Sequence, residues 1–190
     1  KRRVLIEGFE GGRFNEPNDL SVDREGGIYF TDPNYRHRGQ ATVRKEDVYY
    51  CAPEGKCKKV STVCLKPNGI LLTADEKHLY VADNRGRVVY RFDVRQPDWL
   101  ENRQLCIELG AGPDGMTLDE QGNLYVACGR AGIKVYSPEA RPIGTIEVPY
   151  ASNCCFGEPD FTTLYITSGS KFLGLPTKVT GLKPLTSRVK

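Results

Sequence analysis

The feature that most limits how this chain can fold is a motif that returns four times at long intervals. In each copy a polar residue opens a short apolar stretch, and a second strand-like stretch with a central tyrosine follows eleven or twelve positions later. The four pairs are Asn18 with Tyr29, Asn68 with Tyr80, Asp114 with Tyr125, and Asn153 with Tyr165. Turn sequences rich in Asp and Gly lie between the two stretches, and such sequences close tight hairpins. Each copy is therefore predicted to begin as a β-hairpin.

Two further strand-like patterns follow the hairpin in each of the first three copies. Alternation of apolar and polar residues in Lys134–Tyr136 and Thr145–Glu147 is typical of outer strands with one wet face. Four strands in a unit of about 40 to 50 residues indicate the blades of a β-propeller. A β-sandwich is the alternative, but it gives no reason for so long a period. We therefore predict an all-β fold and interpret Val94–Asn102, with its proline and tryptophan, as a loop.

The predicted units form a single partial domain over residues 1–190. They lie near residues 14–63, 64–109, 110–148 and 149–178, and a basic tail covers 181–190. Arg3–Ile6 has the pattern of an outer strand of a preceding blade. We therefore expect a larger propeller whose N-terminal portion precedes Lys1.

Composition narrows the possible partners. The net charge is +3 and the basic residues are scattered, which argues against nucleic acid. No run approaches the ~18 to 20 apolar residues of a membrane helix, so no membrane partner is expected. Seven cysteines show no zinc-like spacing, and the pair Cys51 and Cys57 is open to either a disulfide or two thiols. His37 and His78 are the only histidines, which disfavours a Ser-His-Asp triad and a histidine-rich zinc site. The compartment stays undecided.

Four ordered strings resemble a known family. They are Phe14–Leu20 with Ile28–Pro33, Pro67–Ile70 with Leu79–Asp83, Pro113–Met116 with Gly122–Ala127, and Asn153–Gly157 with Thr163–Thr167. Together they resemble the senescence-marker-protein (regucalcin)/gluconolactonase family. The resemblance implies a six-bladed propeller that hydrolyses sugar lactones or related esters, with a phosphotriesterase branch. It also implies a divalent cation in the central tunnel, usually calcium, with zinc, magnesium or manganese as other choices.

The resemblance also assigns residues to the site. Asn68 and Asp114 match two metal ligands of the family, and Asn18 matches a residue that faces the same cavity as a substrate contact or a further ligand. An early glutamate ligand of the family would lie upstream of Lys1.

The chemistry of these residues agrees with that assignment. Oxygen atoms of Asn and Asp are suitable ligands for hard cations, and a cation there can polarise a lactone carbonyl. Asp114 is the charged member of the set and is the candidate general base. The alternative is that each residue only forms an Asx turn before its strand. Asp19 and Asp32 are candidates for a second cation or for binding nearby backbone amides.

Two other functions stay open from the sequence. One is a propeller that binds a partner without catalysis, because the fold serves both purposes. The other is an inactive fragment that keeps the family signature.

Overall fold

The computed structural model describes residues 3–36 and 45–183, and in these ranges all regular structure is β. Within them no helix is long and apolar enough to cross a membrane. The strands are β1 (Gly8–Phe9), β2 (Gly12–Arg13), β3 (Leu20–Val22), β4 (Ile28–Asp32), β5 (Asp47–Cys51), β6 (Cys57–Ser61), β7 (Pro67–Leu72), β8 (His78–Asp83), β9 (Val88–Gln96), β10 (Trp99–Glu108), β11 (Met116–Leu118), β12 (Leu124–Ala127), β13 (Ile133–Tyr136), β14 (Pro142–Ile146), β15 (Ala151–Gly157), β16 (Thr163–Ser168) and β17 (Lys171–Pro176).

Four antiparallel sheets follow one another along the chain as blades. Strands β3–β6, β7–β10 and β11–β14 form four-stranded sheets, and β15–β17 form a three-stranded sheet. In every sheet each strand pairs with the next one in sequence, which is the up-and-down order of a propeller blade. The first strands of neighbouring blades contact one another in turn. The predicted all-β propeller arrangement is confirmed for these four blades.

Apolar side chains fill the space between neighbouring blades. On β7, Ile70 and Leu72 are buried against side chains of the first blade such as Val48. Leu20 and Val22, at the same two positions of β3, are 58% and 48% exposed. The same two first-strand positions are therefore covered on β7, by the first blade, and exposed on β3.

Buried aspartates bind the backbone of the segment that leads into a blade. Asp32, at the end of β4, is fully buried and accepts hydrogen bonds from the backbone N–H groups of Asn15 (2.8 Å) and Glu16 (2.9 Å). Asp83, at the end of β8, accepts in the same way from the backbone of Leu65 and Lys66. Asp32 therefore binds nearby backbone amides, which is one of the two roles that the sequence analysis gave it; the other was to bind a second cation.

Two predictions of local structure are wrong, one of a loop and one of a strand. Val94–Asn102 is not a loop, because β9 and β10 extend into a long hairpin with its turn at Pro97 and Asp98. Register shifts interrupt the pairing of β9 with β10, so the sequence lacks the regular alternation that would have predicted this hairpin. At its turn, Lys58 Nζ donates a hydrogen bond to Asp98 Oδ2 at 3.1 Å. Arg3–Ile6 forms no strand, and the small hairpin β1–β2 follows it instead.

The described beginning of the basic tail packs between the third and fourth blades. Gly181 forms a β-bridge with Asp119, and its N–H donates to the carbonyl of Phe161. The N–H of Leu182 donates to the carbonyl of Leu118. Residues 184–190 and His37 lie outside the described residues.

Candidate active site

Strand register shows which residues stand at the same place in each blade. On the first strand, the partners of the four tyrosines are Ser21, Leu71, Thr117 and Cys155. Three positions before these partners stand Asn18, Asn68, Asp114 and Ser152. The fourth member of the set is therefore Ser152 and not Asn153, because Cys155 and Tyr165 are ten positions apart, whereas the corresponding partners in the other blades are eight or nine apart. These four residues are called the ring positions below.

Two glycines that directly follow ring positions allow neighbouring blades to come close together. A Cβ on Gly69 would lie 2.1 Å from the backbone oxygen of Asp114 in the next blade. A Cβ on Gly115 would lie 2.0 Å from Asn153 Oδ1 in the blade after that. Atoms of a neighbouring blade can approach so closely only where the residue has no side chain. The Gly of each Pro-Asn-Gly and Pro-Asp-Gly string thus has a packing reason.

Asn68 is the most enclosed of the ring positions, with 3% exposure. Its Nδ2 donates to the Tyr35 hydroxyl at 2.7 Å, and its backbone carbonyl accepts from Thr31 Oγ1 at 2.6 Å. In the described part of the chain, Asn68 Oδ1 is buried without a hydrogen-bond donor. An unpartnered buried acceptor is costly, so such an atom marks a place where a further group is expected.

Two carboxylates lie near Asn68. Burial, and then the charge of Asp19, raise the pKa of Asp114 to about 6, while the Asn68 amide acts in the opposite direction. Burial also raises the pKa of Asp19, although the backbone N–H groups of Ile70 (3.2 Å) and Leu20 (2.9 Å) donate to its two oxygens. Both carboxylates are therefore desolvated and close enough to repel each other.

Asn18 has a different environment. Its side chain is exposed and borders a cavity of about 310 Å³, together with Phe14, Leu20 and Phe30. Its backbone N–H donates to the carbonyl of Thr31. The neighbouring residue, Asp19, and not Asn18, is the one that reaches across to the second blade.

The cluster of Asp19, Asn68 and Asp114 fits part of a site for a hard cation. Among residues 3–36 and 45–183, no three His, Cys, Asp or Glu side chains are close enough to hold a metal by themselves. Two mutually repelling carboxylates and an orphaned amide oxygen are nevertheless the donor types that calcium or magnesium prefers. A cation would satisfy the oxygen and relieve the repulsion.

Sequence reasoning missed Tyr35. It lies in the segment after β4, outside the repeated hairpins, so the period that revealed the ring positions carries no signal for it. The register of Ser152, in contrast, becomes visible once Tyr165 is paired with its partner on β15.

Comparison with known proteins shows which family the chain resembles. The profile described as SMP-30/Gluconolactonase/LRE-like region matches residues 1–170. A gluconolactonase of Zymomonas mobilis is 30% identical over 200 residues, which cover 95% of this chain and 56% of the relative. Regucalcin of Xenopus laevis is 29% identical, with 81% of this chain and 54% of the relative covered.

A solved structure agrees with these relatives. The gluconolactonase structure from Xanthomonas campestris superposes with a TM-score of 0.81 at 30% identity, covering 91% of this chain and 60% of that one. The chain spans just over half the length of these two curated relatives, and the family match covers the first three blades and part of the fourth. The chain belongs to the SMP-30/gluconolactonase/LRE-like family.

Proposed function

We propose that the protein to which this chain belongs is a metal-dependent hydrolase of sugar lactones or related esters. The observation that carries the proposal is the cluster at the ring positions, where Asn68 Oδ1 is buried without a partner beside two desolvated carboxylates. The names of the relatives, gluconolactonase and lactonase, support the substrate class. A six-bladed closure, with a further ligand from another blade, is part of the proposal.

The residues that would hold the cation are Asn68, through Oδ1, and Asp114, through its carboxylate. Calcium is the favoured ion, since all the donors are oxygens. When bound, such a cation would polarise the carbonyl of the substrate and lower the pKa of a bound water. The sequence made Asp19 a candidate for a second cation. We propose instead that its carboxylate adds negative charge beside the cation held by Asn68 and Asp114.

Asp114 is proposed as the general base. The two carboxylate oxygens of Asp19 are already bound by backbone N–H groups. Among the described hydrogen bonds none links a backbone N–H to the Asp114 carboxylate, which supports assigning to it the role of orienting a water and accepting its proton. Asn18, whose side chain is exposed, is proposed as the substrate contact, with its amide directed at hydroxyl groups of a sugar ring.

Hydrolysis of a five- or six-membered sugar lactone by the whole protein, followed by proton release, tests the proposal. Asn68→Ala should weaken calcium binding, so excess calcium should restore part of the rate. Asp114→Asn should remain about 10²- to 10⁴-fold slower even at saturating calcium, because the base is lost. Asp160→Asn, in an exposed turn, is the matched control. Activity that survives both a chelator and Asp114→Asn would leave the propeller as a binding platform.

A further inference from the structure

The second observation at the site concerns how the Asn68 amide is held. An amide can ligate a cation through oxygen only, and rotation by half a turn would place its nitrogen there instead. In the structure Nδ2 donates to the Tyr35 hydroxyl at 2.7 Å, which leaves Oδ1 as the unpartnered atom. Because Asn68 is 3% exposed, water is not at hand to replace that bond.

We propose that Tyr35 is a positioning residue that fixes the Asn68 amide with its oxygen available to the cation. The proposal rests on the function proposed above. Tyr35 does not itself ligate the cation, and acts through Asn68 as an outer partner that orients a ligand.

Tyr35 is suited to this task because its own segment is held from two sides. The Glu16 carboxylate accepts from the backbone N–H groups of Tyr35 (3.0 Å) and Arg36 (2.9 Å). The Glu46 carboxylate accepts from the backbone N–H of Asn34 at 2.9 Å. Three consecutive backbone N–H groups are thus bound by carboxylates, although the segment belongs to no strand.

A buried lysine holds the ring of Tyr35. Lys66 is 8% exposed, and its Nζ lies 4.7 Å from the centre of the Tyr35 ring, within cation–π distance. The same Nζ donates to Glu46 Oε2 at 2.6 Å and to the carbonyl of Asn34. Lys66 also precedes β7, whose second residue is Asn68. One charged group therefore ties the tyrosine to the strand that carries the ligand.

Calcium binding measured by titration calorimetry tests the proposal. Tyr35→Phe removes one oxygen atom and should weaken calcium binding about 10-fold, the low end of the loss typical for outer partners of metal ligands. At saturating calcium its rate of lactone hydrolysis should stay within about twofold of the unsubstituted protein, since the general base is untouched. Tyr50→Phe is the matched control. It loses a buried hydroxyl that donates to Asp23 Oδ2, also at 2.7 Å, and should bind calcium normally.

A double-mutant cycle separates positioning from other effects. In a protein that already carries Asn68→Ala, the further change Tyr35→Phe should cost no more calcium affinity, because the amide it positions is gone. Unchanged calcium affinity in Tyr35→Phe, or a loss of equal size in both backgrounds, overturns the proposal. An unsubstituted protein that binds no calcium refutes the proposed metal-dependent function itself, which is a different result.

A measurement on the unsubstituted protein decides the matter if Tyr35→Phe does not fold. In the calcium-loaded protein, the side-chain amide protons of Asn68 should show a nuclear Overhauser contact to the Tyr35 ring. Asn68→Ala identifies these protons by removing their signals. Absence of the contact overturns the proposal.

Discussion

Replacing Asp114 by asparagine should stabilise the protein in chelator and destabilise it in calcium. The pKa of Asp114 is raised from 3.8 to about 6 by burial and by Asp19. Well below pH 3.8 the carboxyl is neutral in both the folded and the unfolded state, so it does not lower the free energy of unfolding. The cost of ionising it in the folded state grows as the pH rises from about 4 to about 6, and is complete above that.

The size of the effect follows from the shift. A raised pKa of about two units corresponds to about 3 kcal/mol at neutral pH, and partial solvent screening of Asp114 reduces this to about 1 to 2 kcal/mol. For a domain of this size that is a rise in melting temperature of about 3 to 6 °C for Asp114→Asn in chelator at pH 7.5. In calcium the sign should reverse, because a bound ion stabilises the folded state by mass action and the substitution removes a charged ligand.

Thermal unfolding of both proteins in chelator at pH 4.5 and 7.5, and in calcium at pH 7.5, checks this. At pH 4.5 the difference in chelator should fall to about a third of its value at pH 7.5, because only that share of the ionisation cost has built up there. Asp160→Asn should change the melting temperature by no more than about 1 °C at either pH. If Asp114→Asn raised the melting temperature equally at both pH values, or did not raise it at pH 7.5, the Asp114 carboxylate would not be desolvated and repelled by Asp19.

Two further outcomes are expected. Gly69→Ala should lower the free energy of unfolding by at least about 2 kcal/mol in chemical denaturation, because its Cβ would meet backbone at 2.1 Å, whereas Gly144→Ala has open space and should be nearly neutral. An equal effect of the two would contradict the close approach at the ring. Cys51 and Cys57 stand directly opposite each other on β5 and β6, and burial raises both thiol pKa values, that of Cys57 to about 12. Oxidised glutathione should therefore join them slowly at pH 7 and about tenfold faster per pH unit above it, as read from the intact mass. Rapid oxidation at pH 7, or only mixed adducts with glutathione, would contradict this.

The part of the structure that the sequence predicts is the part that repeats. The spacing from Asn68 to Tyr80 and from Asp114 to Tyr125 reflects a hairpin whose length barely varies, so blade number and ring positions follow from it. Prediction failed where one blade departs from this geometry. The longer turn between Cys155 and Tyr165 shifts the count by one residue, and irregular pairing hides the long β9–β10 hairpin.

Contacts between blades are a second limit. The approach of Asp19 to Asp114 depends on how neighbouring sheets pack, which no local pattern records. Tyr35 reaches Asn68 from outside the repeat altogether. Residues that contact the site from another blade or from outside the repeat can be identified only from the three-dimensional structure.

The alternation along the first strands bears on how this fold can change its chemistry over evolution. Each ring position is polar, with asparagine at Asn18 and Asn68, aspartate at Asp114 and serine at Ser152. Two residues further along, the side chains are apolar in every blade and, after the first blade, buried between sheets. A substitution at a ring position therefore alters the polar start of a first strand without changing the apolar positions that pack between the blades. Diverging substrate preferences can accordingly accumulate one blade at a time, on a scaffold whose packing stays the same.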